Sequence, residues 1–272
     1  MWSVTTIATN MAMLSYDFVD NALVAAGIVA LVAGAVGYFL VMRGQSFAGH
    51  ALSHVGFAGA TGAVLVGLPP FWGLLALTVL GGLAMGALGD RISGRDVAIG
   101  MVLSLSLGLG LLFLHFYTSF AAQATSLLFG NVFAVERETL LALVGLGAAC
   151  LLALAMVARP LLFVTLQPEL AAARGVSPRL LSVLFLGLVA VAVAEAAQIV
   201  GVLLVFTLMV GPAAAAQRLT IRLMPGVALT LALALAEAWL GITLAFYTDW
   251  PASFWIAALS AAAYFGSLAA RP

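Results

Sequence analysis

Long apolar runs separated by short polar breaks dominate the chain. They lie at 21–42, 46–67, 71–89, 97–116, 138–158, 179–196, 198–215, 226–246 and 252–270. The runs are continuous and do not alternate at every second residue, so they predict helices, not the strands of a barrel. A hydrocarbon layer of roughly 30 Å takes about 20 residues of helix, which makes each run a candidate span. The expected fold is an all-α polytopic membrane protein of about nine transmembrane helices, eight to ten within the tolerance of their ends, with residues 1–272 forming one transmembrane domain. Turn chemistry falls at the breaks, in Leu68-Pro69-Pro70, Ser93-Gly94, Ser177-Pro178, Met224-Pro225-Gly226 and Asp249-Trp250-Pro251. The stretch 117–135 is shorter and more polar and reads as a re-entrant or surface helix.

Composition agrees. Charged residues are 7% of the chain and apolar residues 65%, against about 25% and 45–50% in soluble domains. Net charge is zero and there is no Lys, so neither nucleic-acid binding nor a phosphate-binding glycine loop ending in Lys is expected. Any use of nucleotide would need a separate subunit. The single cysteine, Cys150, lies within an apolar run and is expected to pack. The first run follows Asp17 and Asp20 without a basic leader or a cleavage site and reads as a retained helix.

Arginine placement gives the orientation. With the N-terminus outside and nine spans, Arg43, Arg91, Arg95, Arg159, Arg174, Arg179, Arg218, Arg222 and Arg271 face the cytoplasm, and Arg137 alone lies outside. An even number of spans would put many of them on the wrong side. No internal repeat of the kind found in inverted-repeat carriers is evident.

The cytoplasmic stretch from Arg159 to Arg179 is long. In it Pro168 suits a first helical turn, Glu169 complements the helix dipole and Gly175 is a stop. A short surface helix over about 168–175 is expected, either a capped connector or a docking element.

Ionisable groups within membrane spans are costly and are therefore functional candidates. His50 and His54 are four residues apart and share one helix face; two imidazoles so placed can ligate one metal ion, though they could equally be hydrogen-bonded packing residues. Thr61 continues that face. Gly49, Gly56, Gly59 and Gly62 would let neighbouring helices approach closely. Glu195, Gln198 and Glu237 are further candidates for a pathway or gate, with packing the plainer reading of the two carboxyls. His115 and Asp249 fall at outer helix ends, where solvated residues are usual. Neither a serine–histidine arrangement nor a zinc-protease motif is present.

Three stretches carry a family resemblance: VMRGQSFAGHALSHVGFAG, TSLLFGNVFAVERETL and QIVGVLLVFTLMVGPAAAAQRLT. In order and spacing they resemble the permeases of bacterial ABC importers for zinc, manganese or iron, over roughly residues 20 to 270. DRISGRDVAIGMV and TDWPASF fit between and beyond them. The resemblance implies a permease domain in the bacterial cytoplasmic membrane and a homodimer. It also implies cytoplasmic ATPase subunits and an extracytoplasmic metal-binding protein as partners, with no catalytic residue and no permanent cofactor in this chain. It implies that Pro168, Glu169, Ala171 and Gly175 belong to a coupling helix that docks on the ATPase. His54 matches a metal-ligating histidine of the family's GDALSH motif, and His50 stands where the family has Asp. Imidazole suits zinc, and carboxylate suits harder ions such as manganese; four imidazoles across a two-fold axis would complete a tetrahedral shell. Zinc is therefore the expected cargo, with manganese or iron, or a self-sufficient secondary carrier, as alternatives. One tension remains: the run 46–67 puts both histidines near its cytoplasmic end and away from the middle of the membrane.

Overall fold

The computed structural model describes residues 16–88, 95–116, 128–130, 132–135 and 137–270. Among them are ten α-helices. Nine are long: α1 (Asp17–Met42), α2 (Ser46–Leu65), α3 (Pro70–Leu88), α4 (Arg95–His115), α5 (Arg137–Leu166), α7 (Pro178–Val200), α8 (Val202–Leu219), α9 (Leu223–Thr248) and α10 (Ala252–Ala269). Between α5 and α7 lies the short α6 (Pro168–Ala173). Eight of the long helices are long and apolar enough to cross a bilayer; α2 is the remaining one, because it carries two histidines, two serines and a threonine.

The nine long helices alternate in direction, and contacts far apart in sequence tie their ends together. At one end the Asn21 side chain donates to the Val135 carbonyl. At the other, Arg43 reaches Thr165 and Arg179 reaches the Ala87 carbonyl. The described arginines other than Arg137 gather toward this second end, which the positive-inside rule assigns to the cytoplasm. Arg91, Arg271 and most of the helix expected within 117–135 lie outside the described residues.

Three helix limits differ from the sequence reading. Arg159-Pro160 does not end a span, because α5 continues through Pro160 to Leu166; at 1.5 Å per residue it is longer than a bilayer core is thick. The break expected near 197 falls at Gly201, where the backbone takes φ 82° and ψ 157°, so Gln198 belongs to the last turn of α7. Finally, α1 begins at Asp17 and takes Asp17 and Asp20 into its first turn, where carboxylates complement the exposed N–H groups of a helix start.

Packing divides the helices into inner and outer. Most of α1, α2 and α7 is buried, whereas α3, α4, α5 and α10 present large apolar side chains outward, among them Trp72, Met101, Leu152 and Phe265. Those faces suit lipid. Small residues bring α2 close to its neighbours, as its glycine spacing predicts. A Cβ on Gly59 would fall on the Gly73 carbonyl of α3, and one on Gly73 would fall on the Gly59 carbonyl. Gly49, Gly56 and Gly62 similarly back onto Leu40, onto Leu74 and Thr78, and onto Phe113. Cys150 is buried with its Sγ 3.8 Å from the Leu188 carbonyl, a packing role.

Close approach at Gly59 can be tested against a glycine with open space. Gly59→Ala should destabilise the bundle by about 1–3 kcal/mol, the usual cost of overpacking. Gly145→Ala, where a new Cβ meets nothing within 4 Å, should stay within about 1 kcal/mol of the parent. Thermal unfolding of both variants in detergent is the measurement.

Candidate metal centre

The centre is built on α2, which starts after a tight turn. Gly44, at φ 65°, donates its N–H to the Val41 carbonyl, and the Gln45 N–H reaches the Leu40 carbonyl. This pairing caps the end of α1 and sets the start of α2 against it. One turn further, His50 and His54 stand one above the other with ring centroids 4.9 Å apart and planes at 89°. The Ser53 hydroxyl donates to the His50 carbonyl at 2.7 Å. His54 is buried at 6% exposure, and His50 is half-buried.

Facing the pair is Phe206 of α8, whose ring centroid is 5.0 Å from that of His50 at 65°. This contact fixes the depth of the pair. Phe206 lies in the outer part of α8, and about 20 Å of helix separates it from the cytoplasmic end at Leu219. The histidines therefore lie well inside the bundle, although they belong to the first turns of their own helix. Each ring keeps a buried Nδ1 with no hydrogen-bond partner among the described residues. Buried polar atoms are nearly always satisfied, so two adjacent orphaned nitrogens favour a ligand over simple packing.

The other candidates lie elsewhere. Thr61 is fully buried and its hydroxyl donates to the Phe57 and Ala58 carbonyls of its own helix, at 2.9 and 3.1 Å. Glu195 is fully buried on α7, with its carboxylate against Gly147 of α5 and beside the thiol of Cys150. Glu237 on α9 lies beside Ser260 of α10. The Glu195 carboxyl has no hydrogen-bond partner among the described residues, and neither carboxyl shares a helix seam with the histidines. Gln198 is exposed, as are His115 and Asp249. No group of three or more His, Cys, Asp or Glu able to hold a metal occurs among the described residues. One copy thus offers two imidazoles.

Phe206 is the residue that sequence reasoning missed. It sits inside the quoted QIVGVLLVFTLMV stretch, but nothing in periodicity says which face of α8 meets α2.

Pro168 opens α6 at its first turn, with Glu169 exposed beside it. At the far end Gly175, at φ 78°, donates its N–H to the Ala172 carbonyl while the Val176 N–H reaches Ala171, the paired bonds of a glycine-terminated helix. Ala171 is fully buried and joins Val164, Leu181, Phe163 and Val176 in a small apolar cluster. The helix is thereby held to the end of α5 and the start of α7.

Comparison with known proteins agrees with this architecture. Residues 15–271 match the model of the ABC 3 transport family. The manganese transport system membrane protein MntC of Halalkalibacterium halodurans is 32% identical over 78% of this chain and 73% of its own length. The manganese import system permease protein ScaB of Streptococcus parasanguinis is 32% identical over 74% of this chain and 72% of its own. The structure of PsaBC from Streptococcus pneumoniae in complex with Fab superposes with a TM-score of 0.85 at 29% identity, over 96% of this chain and 95% of that one. MntC and ScaB are named for manganese, so the expectation of zinc gains no support from them and the manganese alternative fits them better. The family match spans nearly the whole chain and the helices are those of a membrane protein: the chain belongs to the ABC 3 transport family and is a multi-pass membrane permease.

Proposed function

We propose that this permease conducts a divalent transition metal, manganese in the leading reading, through a pathway whose ligands are His50 and His54. The observation that carries the site is the facing pair of buried imidazoles with unpartnered Nδ1 atoms. The metal is read from the manganese relatives. Two imidazoles are too few for a closed shell, so the pathway is shared between two copies of the chain, whose symmetry supplies four. Energy comes from ATPase subunits docking at α6, and an extracytoplasmic binding protein delivers the ion.

Zinc is the second reading, and one observation favours it. The pair is all nitrogen, and no carboxylate among the described residues joins it in a metal-binding group. Imidazole suits zinc, while manganese prefers oxygen.

Competitive uptake of radioactive zinc and manganese by vesicles holding permease, ATPase and binding protein separates the two. The manganese reading expects manganese to dominate, with His50→Asp leaving or raising that preference. A zinc preference that His50→Asp reverses would transfer the assignment to zinc. His50→Ala combined with His54→Ala should abolish uptake while leaving thermal unfolding within a few degrees; undiminished uptake would reduce the pair to packing.

The α6 assignment has its own test. A β-branched residue at φ 78° costs about 1–2 kcal/mol, so Gly175→Val should unseat the helix end and reduce co-purification of the ATPase without altering metal affinity. Unaltered co-purification would make α6 a connector only.

A further inference from the structure

Arg43 is a half-buried charged residue at the cytoplasmic end of the bundle, and the metal-binding reading does not use it. Its guanidinium donates from Nη1 to the Thr165 hydroxyl at 3.0 Å, across 122 positions of sequence. That hydroxyl in turn donates to the Leu161 carbonyl of its own helix at 2.6 Å. The guanidinium Cζ lies over the Phe185 ring, 5.5 Å from its centroid, within the range of a cation–π contact. Phe185 is fully buried.

The two partners stand on either side of α6. Thr165 is in the last turn of α5, three residues before Pro168, and Phe185 is two turns into α7. A single residue, Gln167, separates α5 from α6, and its N–H still bonds back to Phe163. The apolar cluster of Val164, Ala171 and Leu181 closes the same three helices together. Arg43 therefore grips the α5–α6–α7 unit about one turn deeper than the surface helix itself.

On its own side Arg43 is just as firmly fixed. It caps α1 with its N–H on the Phe39 carbonyl, and the turn through Gly44 and Gln45 leads directly into α2. Gln45 is buried and its carbonyl takes the first two N–H bonds of α2, from Ala48 and Gly49. His50 follows immediately. A displacement of the α5–α6–α7 unit thus has a short, hydrogen-bonded route to the histidine pair.

We propose that Arg43 is a positioning residue that transmits movement of the ATPase-side helix α6 to the His50–His54 pair through its grip on Thr165 and Phe185. This rests on the reading of α6 as the ATPase contact. Arg43 touches no metal; it sets where α2 starts relative to α5 and α7. Lysine would keep the charge but lose the planar fork that serves both partners at once.

The test uses the complete importer in vesicles, with ATP hydrolysis and manganese and zinc uptake measured on the same sample. Thr165→Val keeps the side-chain shape and removes the acceptor; Phe185→Leu removes the aromatic face. The double variant should keep the ATPase bound and hydrolysing, while metal moved per ATP falls about fivefold or more, the lower range of ordinary coupling between sites. Arg43→Lys should give an intermediate ratio, and equilibrium metal affinity in the absence of ATP should not change. An unaltered ratio of metal to ATP in the double variant overturns the proposal, whether or not its thermal stability falls. Loss of the α6 reading looks different: there Gly175→Val leaves ATPase co-purification intact.

Discussion

Hydrocarbon offers no hydrogen bonds, so a helix carrying two imidazoles, two serines and a threonine cannot face lipid. That constraint organises the molecule. The helix concerned, α2, is wrapped by α1, α3, α4, α7 and α8, and the outward surfaces are left to helices with exposed Leu, Met, Trp and Phe. Wrapping one helix so completely needs close backbone approach, which the glycines of α2 and α3 supply at Gly59 and Gly73. The Ser53 and Thr61 hydroxyls are satisfied by carbonyls of their own helix, at His50, Phe57 and Ala58. The imidazole Nδ1 atoms are not, and two such atoms on adjacent, facing rings make the pair the candidate site.

The same constraint treats the carboxyls differently. Glu195 and Glu237 are as deeply buried as His54, yet each lies at its own seam, one between α7 and α5 and the other between α9 and α10. A buried ionisable group in a membrane protein is a functional candidate by default, but shared position separates the candidates. Among these described candidates it is the histidines that face one another, and a ring from a second helix, Phe206 of α8, packs against His50.

At the cytoplasmic end, polarity serves connection. Arg43, Thr165 and Arg179 join helices distant in sequence, and the glycine-terminated α6 is held down by a cluster of five apolar side chains. A charged residue here costs less than at mid-membrane because its head can use hydroxyl, carbonyl and ring partners together.

The sequence alone determined the number and direction of the long helices, the arginine-rich end, the pairing of His50 with His54 and the short helix at Pro168, whose proline start and glycine stop are local chemistry. These are properties of neighbours along the chain, set by helical period, dihedral preference and transfer free energy, and they are legible without a partner. Tertiary structure decided the rest. It carried α5 past Arg159-Pro160, because a proline ends a helix only where packing does not offset the lost bond. The helix break moved to Gly201, and Phe206 was brought against His50, which puts the pair deep in the bundle although it begins its helix. Tertiary packing also set Glu195 and Glu237 apart from the histidines. Each of these depends on which face of one helix meets which face of another, and a one-dimensional pattern of apolar residues that is nearly uniform around every helix holds almost no record of that choice.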